Sequence, residues 1–450
     1  MRSRRLTRFM FLICAASVIL SGCQAAASSG TWTVPSAAFS APTTTESPMT
    51  SSDENALPTP ISGPLETEPN NEPEEIRVSI TAVGDVLMHK AVIDGGRTNP
   101  GETDPQYDYT YCFQYVRPFF EKSDLAIGNI EGTLAGPPYT GFPSFSAPDE
   151  IADALYDVGF RVVCAANNHS IDKGFDGLVQ TTTVLREKGF TAIGTRPDEE
   201  SSIDAIVDVG GIRLGIMNYT WETIGTKTQK GINGIPMPKE ADPLINSFNP
   251  SRSAAFEADM EALIDDVERL RREGAEFICL MVHWGTEYTT HSAQWQQEMA
   301  LRLCDAGVGL IIGNHPHVLQ EIDVITSETT GNETLVYYST GNFLGNWAYE
   351  TLGTSGKTQD GMIVRVTLLK TKDGVSIEKG EYIPTFVVRL YEGAVLKHYI
   401  VPVIPAIDDP EYYRTTTATM EASYKRINKI LGPCTGSESI PVSEAGTLPE

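Results

Sequence analysis

Residues of the types that hold metal ions are spread along this 450-residue chain: Asp85, Asn129, Glu131, Asn168, His169, His283, His315 and His317. Carboxylate and amide oxygens with imidazole nitrogens form the donor set of a zinc, manganese or iron site. Four of the seven histidines are among them. In His315-Pro316-His317 the proline keeps the backbone out of a helix, so two imidazoles can serve one pocket from a rigid loop. Each residue taken alone also has a plainer use. Gly84-Asp85 could be a turn, Asn168-His169 could cap the helix that follows, and His283 before Trp284 could be a satisfied core histidine. Their shared position argues for a common site, because each follows a run that reads as a strand.

Those runs are the elements that must do the positioning. Arg77–Val83 enters Gly84-Asp85; Asp124–Gly128 leads to Asn129 and Glu131; Arg161–Ala165 runs into Asn168-His169; Glu276–Val282 precedes His283; Leu310–Ile312 precedes His315. Short apolar strands at 191–193 and 212–218 alternate with amphipathic helices over 147–158, 177–188 and 256–273. In such sheets ligands gather beyond the carboxyl ends of strands, where distant residues converge. Glycines 84, 128 and 313 permit close backbone approach beside the site. The last third, with strands at 335–339, 362–369, 375–377, 382–390 and 398–402, reads as antiparallel. The fold class is therefore α/β: two stacked mixed sheets with helices outside, a four-layer sandwich over one domain at 76–405. Residues 406–450 read as a helix over 411–431 and a polar tail.

The chain begins with Arg2, Arg4, Arg5 and Arg8 ahead of an apolar run, Phe9 to Leu20, the pattern of a signal peptide and too short for a stable membrane span. Leu20-Ser21-Gly22-Cys23 resembles a bacterial lipobox, which makes Cys23 the lipid attachment point of a leader spanning 1–23. An ordinary secretory signal with a chance cysteine is the alternative. Residues 24–75 are rich in Ser, Thr, Pro and acidic side chains and contain no Lys or Arg. Such a segment cannot bury enough apolar surface to order itself and reads as a tether, or else as a tail for a basic partner. The expected location is the extracellular face of a cell membrane, with a tether suited to a Gram-positive wall. The net charge of −25 with no basic stripe argues against nucleic acid. Without Cys14 and Cys23, five scattered cysteines remain of seven, which is no disulfide framework. Whether Cys112 and Cys434 pair is open.

Ala82-Val83-Gly84-Asp85, Gly128-Asn129-Ile130-Glu131-Gly132, Ala166-Asn167-Asn168-His169 with Asp172 and Gly174, His283-Trp284-Gly285 with Glu287, Gly313-Asn314-His315-Pro316-His317-Val318 and Tyr338-Ser339-Thr340-Gly341-Asn342-Phe343 occur in this order. Together they resemble the capsule-biosynthesis CapA family of poly-gamma-glutamate synthesis proteins over about Val78 to Pro405. That family is similar in turn to the calcineurin-like metallophosphoesterases, with two stacked sheets and a two-metal centre. The resemblance implies Asp85 on a first metal, Glu131 at the bridging position, Asn168, His283 and His315 on a second metal, His317 returning to the first, and His169 as general acid. Asn129, Glu287 and Asn342 join the site by the same resemblance. The phosphoesterase pattern has a histidine two residues after the first aspartate; this chain has Leu87 there, with His89 two residues further on. One or two divalent transition metals (Mn, Zn or Fe) are the implied cofactor. The implied function is that of a surface lipoprotein with a metal-dependent hydrolase-like centre, acting in synthesis, export or attachment of an anionic capsular polymer such as poly-gamma-glutamate. Its alternative is a non-catalytic accessory subunit that binds the polymer or the membrane synthase.

Overall fold

Alternation of buried side chains sets the architecture seen in the computed structural model, which describes residues 75–251, 253–347, 353, 355–434 and 436–446. The leader, Cys23 and the tether up to residue 74 lie outside the described residues. The first half runs β1 (Ile76–Leu87), α1 (Lys90–Gly96), α2 (Arg117–Glu121), β2 (Leu125–Glu131), α3 (Glu150–Val158), β3 (Phe160–Cys164), α4 (Gly174–Glu187) and β4 (Thr191–Ile193). There follow β5 (Ala205–Val209), β6 (Ile212–Trp221), β7 (Thr223–Ile224), β8 (Lys230–Ile232), β9 (Ile235–Pro236), β10 (Ser247–Phe248), α5 (Ser253–Arg272), β11 (Phe277–His283), α6 (Gln294–Asp305) and β12 (Leu310–Asn314). The rest is β13 (Ile322–Thr326), β14 (Glu333–Tyr337), β15 (Asn342–Leu344), β16 (Asp360–Thr371), β17 (Gly374–Glu392), β18 (Val395–Pro402), helices Val403–Asp408 and Thr417–Leu431, and β19 (Val442–Glu444).

A nine-stranded sheet has the order β18-β17-β16-β1-β2-β3-β4, with β15 beside β1 and β19 beside β17. A seven-stranded sheet runs β10-β6-β11-β12-β14-β13, with β5 beside β6. Both are mixed: β1, β2, β3 and β4 pair in parallel while β16 runs antiparallel to β1. In the second sheet β6, β11, β12 and β14 are parallel and β13 is antiparallel.

Successive side chains on a strand face opposite ways, and the cores follow that period. Val78, Ile80 and Ala82 of β1 share one cluster with Ile212, Leu214 and Ile216 of β6 and with Cys279 and Met281 of β11, so the sheets stack face to face. The outer face of the first sheet, including Ala126 and Val163, packs on Ile151 and Leu155 of α3. The outer face of the second, including Leu280 and Val282, packs on Met260, Leu263 and Val267 of α5 and Met299 and Leu303 of α6. The expected four layers are present.

Some expectations change. Segments 375–377 and 382–390 belong to one strand, β17, whose pairing with β16 shifts register between Thr367 and Leu368. Beyond residue 405, Met420, Ile427, Leu431 and Val442 enter the core between the sheets. Cys112 and Cys434 are free. Cys112 lies in the outer cluster under α3, whereas Cys434 packs on the cluster between the sheets, so a sheet separates them.

Candidate metal centre

Parallel strands of both sheets end at one place, and their last residues carry the polar groups. Close contact between the strand ends depends on two of the glycines. A Cβ at Gly84 would stand 1.9 Å from the Gly341 carbonyl oxygen, and one at Gly313 would stand 2.0 Å from that of Tyr338. Asp85, which pairs in register with Asn129 and Asn342, is thereby set at the centre.

Asp85 is wholly buried. Its Oδ1 accepts from Asn129 Nδ2 at 2.7 Å, and its Oδ2 accepts from the His315 backbone N–H at 3.3 Å and lies 3.2 Å from His317 Nδ1. His315 and His317 hold φ of 96° and 55°, in the left-handed region that side chains avoid. Strain of this kind persists where surrounding contacts over-determine it, commonly at functional sites. Asn342 orients the second imidazole: its Oδ1 is 3.0 Å from His317 Nδ1, and its Nδ2 donates to the His317 carbonyl at 3.1 Å.

Glu131 faces this loop with both carboxylate oxygens buried and without a hydrogen-bond partner among the described residues. Its Oε1 is 3.6 Å from His317 Nε2, 3.7 Å from His283 Nε2 and 4.0 Å from His169 Nε2. The Nδ1 atoms of His283 and His315 are buried and unpartnered as well. Donor atoms of Glu131, His315 and His317 lie within 4.8 Å of one another. His283 Nε2 sits 3.0 Å from Asn168 Oδ1.

Burial raises the Glu131 carboxyl well above the usual range, with Asp85, Glu287 and Asp172 adding to it and His317 opposing. Burial drives His283 and His315 well down, which leaves the neutral imidazoles that ligate metals. For His317 burial also disfavours the charged form, but Glu131 and Asp85 outweigh it and hold the group at about 9. A buried carboxylate without a partner is costly, and a divalent cation among these orphaned oxygen and nitrogen atoms would satisfy them. The donor set therefore fits the metal that the sequence implies.

Residues 79–346, which contain every donor named above, match the bacterial capsule synthesis protein family PGA_cap. The chain belongs to that family. It is 25% identical over 355 residues to the capsule biosynthesis protein CapA of Bacillus anthracis, covering 76% of this chain and 74% of that one. It is 27% identical over 309 residues to the PGA biosynthesis protein CapA of Bacillus subtilis (strain 168), covering 66% and 69%. Among solved structures, the calcineurin-like phosphoesterase YfkN from Bacillus subtilis aligns with a TM-score of 0.38 and 13% identity over 79% of this chain and 98% of that one.

Within this PGA_cap domain the strand ends supply one continuous donor set, and two further features complete the site. Asp172 Oδ2 lies 2.9 Å from His169 Nδ1 and accepts from the Phe145 N–H at 2.7 Å, which directs His169 Nε2 toward Glu131. The three-residue spacing of His169 and Asp172 was a readable signal for this pairing. Leu87 is buried against Phe145 and Trp347. His89 does not stand in for a ligand at position 87, since its Nδ1 accepts from the Asn346 N–H at 3.2 Å, which leaves the proton of the neutral ring on Nε2. Leu87, Phe145, Trp347, Tyr288 and exposed Glu287 line a cavity of about 250 Å³ beside the centre. Phe145, Tyr288 and Trp347 come from connecting segments, and no sequence pattern identified them.

Proposed function

We propose that this chain is a surface-anchored capsule-polymer protein with a metal-dependent, hydrolase-like centre, acting on an anionic polymer such as poly-gamma-glutamate or on its carrier linkage. The observation that carries the reading is the pair of unpartnered, wholly buried Glu131 oxygens facing three imidazoles. Glu131, His315 and His317 would hold an ion, with Asp85, Asn168 and His283 beside them. A bound divalent cation supplies Lewis acidity to a phosphoryl or carbonyl oxygen. His169, fixed by Asp172 through Nδ1, presents Nε2 as the atom that passes a proton to a leaving group. Asn342 holds the His317 ring, and the apolar side at Leu87 excludes water from the same end of the cleft. Cys23 would carry the lipid and residues 24–75 would let the domain stand off the outer face of the membrane, near a polymer synthase.

Metal content by mass spectrometry on protein purified without chelator tests this reading, with Glu131→Ala and His315→Ala alongside. One or two transition metals per chain, lost in both variants together with turnover of phosphoester or polyglutamate substrates, is the expected result. No metal even after addition of manganese or zinc would overturn it. A second reading, a non-catalytic accessory subunit that binds the polymer or the synthase, is favoured by Leu87 with its apolar neighbours where the phosphoesterase pattern has a ligand. Retention of a membrane synthase by wild type and His169→Ala alike, without turnover, would select it.

A further inference from the structure

Asn346 follows β15 and lines the cavity beside the centre together with His169 and His317. All but one of its hydrogen-bonding groups on that side of the chain are engaged. Its backbone N–H donates to His89 Nδ1 at 3.2 Å. Its Oδ1 accepts from Arg389 Nε and from His398 Nε2, both at 2.9 Å. Arg389 and His398 are direct partners across β17 and β18, so the two strands grip the amide oxygen together. A guanidinium can only donate, and a turned amide would set N–H against N–H. The oxygen is therefore fixed toward the strands, and the Nδ2 group is left to the cavity, where no described residue accepts from it. Leu87, Phe142, Phe145 and Trp347 on the same walls have no side-chain acceptor, and Glu287 lies beside the Tyr288 hydroxyl and faces His317.

We propose that Asn346 Nδ2 is a recognition donor for an oxyanion of the substrate, a phosphoryl or carboxylate oxygen seated in this cavity beside the metal centre. The two donors on Oδ1 draw electrons from the amide, and hydrogen bonds in series reinforce one another where water is scarce. Such an N–H gains most from a charged acceptor, whose hydrogen bonds are about twice as strong as those of a neutral one. A cationic ligand would meet the positive end of the amide dipole with the Arg389 charge behind it. A purely alkyl ligand would strip the amide of water and return nothing. The link from this oxyanion to a reaction rests on the metal-centre reading; the orientation of the amide stands without it.

Proton–nitrogen NMR spectra of the full chain test the proposal, since they show the Asn346 side-chain amide as the signal that disappears in Asn346→Asp. The chain is titrated at constant ionic strength with inorganic phosphate, with acetate and with neutral acetamide, which has the shape of acetate. The amide protons should move downfield with an anion, and acetamide should bind about fivefold more weakly than acetate. Asn346→Asp keeps an oxygen for Arg389 and His398, which spares the fold, but sets an acceptor where the amide donated. Phosphate affinity should then fall by about tenfold or more. Amide protons that respond to neither anion, acetamide bound as tightly as acetate, or undiminished phosphate affinity in a folded Asn346→Asp protein would overturn the proposal. Phosphate bound more tightly than acetate assigns the oxyanion to a phosphoryl group, and the reverse assigns it to a carboxylate. Metal content measured on the same samples separates the two readings. A response without metal defeats the metal centre alone, and metal without a response defeats the recognition donor alone.

Discussion

At the end of β1, Asp85 and Leu87 lie two residues apart and pair along the neighbouring strand with Asn129 and Glu131. Asp85 belongs to a floor of buried polar groups with open valences, whereas Leu87 belongs to a wall with Phe145 and Trp347. The backbone offers both positions to the same cleft, so residue type alone divides it. An imidazole at position 87 would add a donor next to Glu131. The leucine instead replaces it with methyl groups that keep water away, and a drier environment strengthens the interaction of Glu131 with His317. Strand topology thus delivers both side chains to the site, and residue type divides it into a polar floor and an apolar wall.

Removing the floor should have the largest effect. Glu131→Ala is expected to weaken metal binding by about a hundredfold or more, since second-shell changes alone cost about 10–100-fold. In chelator the same variant should be at least as stable as wild type, because burial of a carboxylate that accepts no hydrogen bond outweighs its 3.6 Å contact with His317. Calorimetric metal titration and thermal melts with and without chelator check both, and a variant destabilised in chelator would show that Glu131 is satisfied without metal. Breaking the wall comes next. Leu87→His should raise bound metal from about one to about two ions per chain and destabilise the chelated protein by about 1–3 kcal/mol through an unpaired buried imidazole. Unchanged metal content in a folded Leu87→His protein would mean that Phe145 and Trp347, not residue 87, fix the stoichiometry.

Floor and wall also differ in how far the sequence reveals them. Asp85, Glu131, His283 and His315 stand where apolar runs stop, and a run that stops at a metal-ligand residue is visible without coordinates. The wall comes from Phe145, Tyr288 and Trp347, on connections whose path depends on packing from both sheets. In the fold the same contrast recurs. Central strands such as β11, buried throughout, are legible as continuous apolar runs. The edge strand β13 escapes notice because four of its five residues are partly buried or exposed and Asp323 interrupts its apolar pattern. β17 reads as two strands because Glu378, Lys379 and Glu381 interrupt its apolar pattern, and Arg365, which hydrogen-bonds Glu381 at 3.0 Å from the neighbouring strand, is far off in sequence.

A buried carboxylate outside the centre sharpens the comparison with the smallest effect. The Asp204 carboxylate is nearly as buried as that of Glu131 but has hydrogen-bond partners, accepting from Arg269 at 2.7 Å and Asn246 at 3.0 Å. Burial, reinforced by Asp266, still outweighs these partners and pushes its carboxyl up to about 7. Because the folded value exceeds the unfolded one of about 4, the folded state holds the proton more tightly, and the stability this contributes is full below pH of about 4 and lost as pH rises toward 7. Asp204→Asn should flatten that fall, changing the difference in Tm between pH 4 and 7 by about 2–4 °C in chelated protein. Metal content should stay at the wild-type level. If the fall persists unaltered in Asp204→Asn and disappears in Glu131→Ala, the proton taken up on folding resides in the centre, and partners rather than depth govern which buried carboxyl titrates.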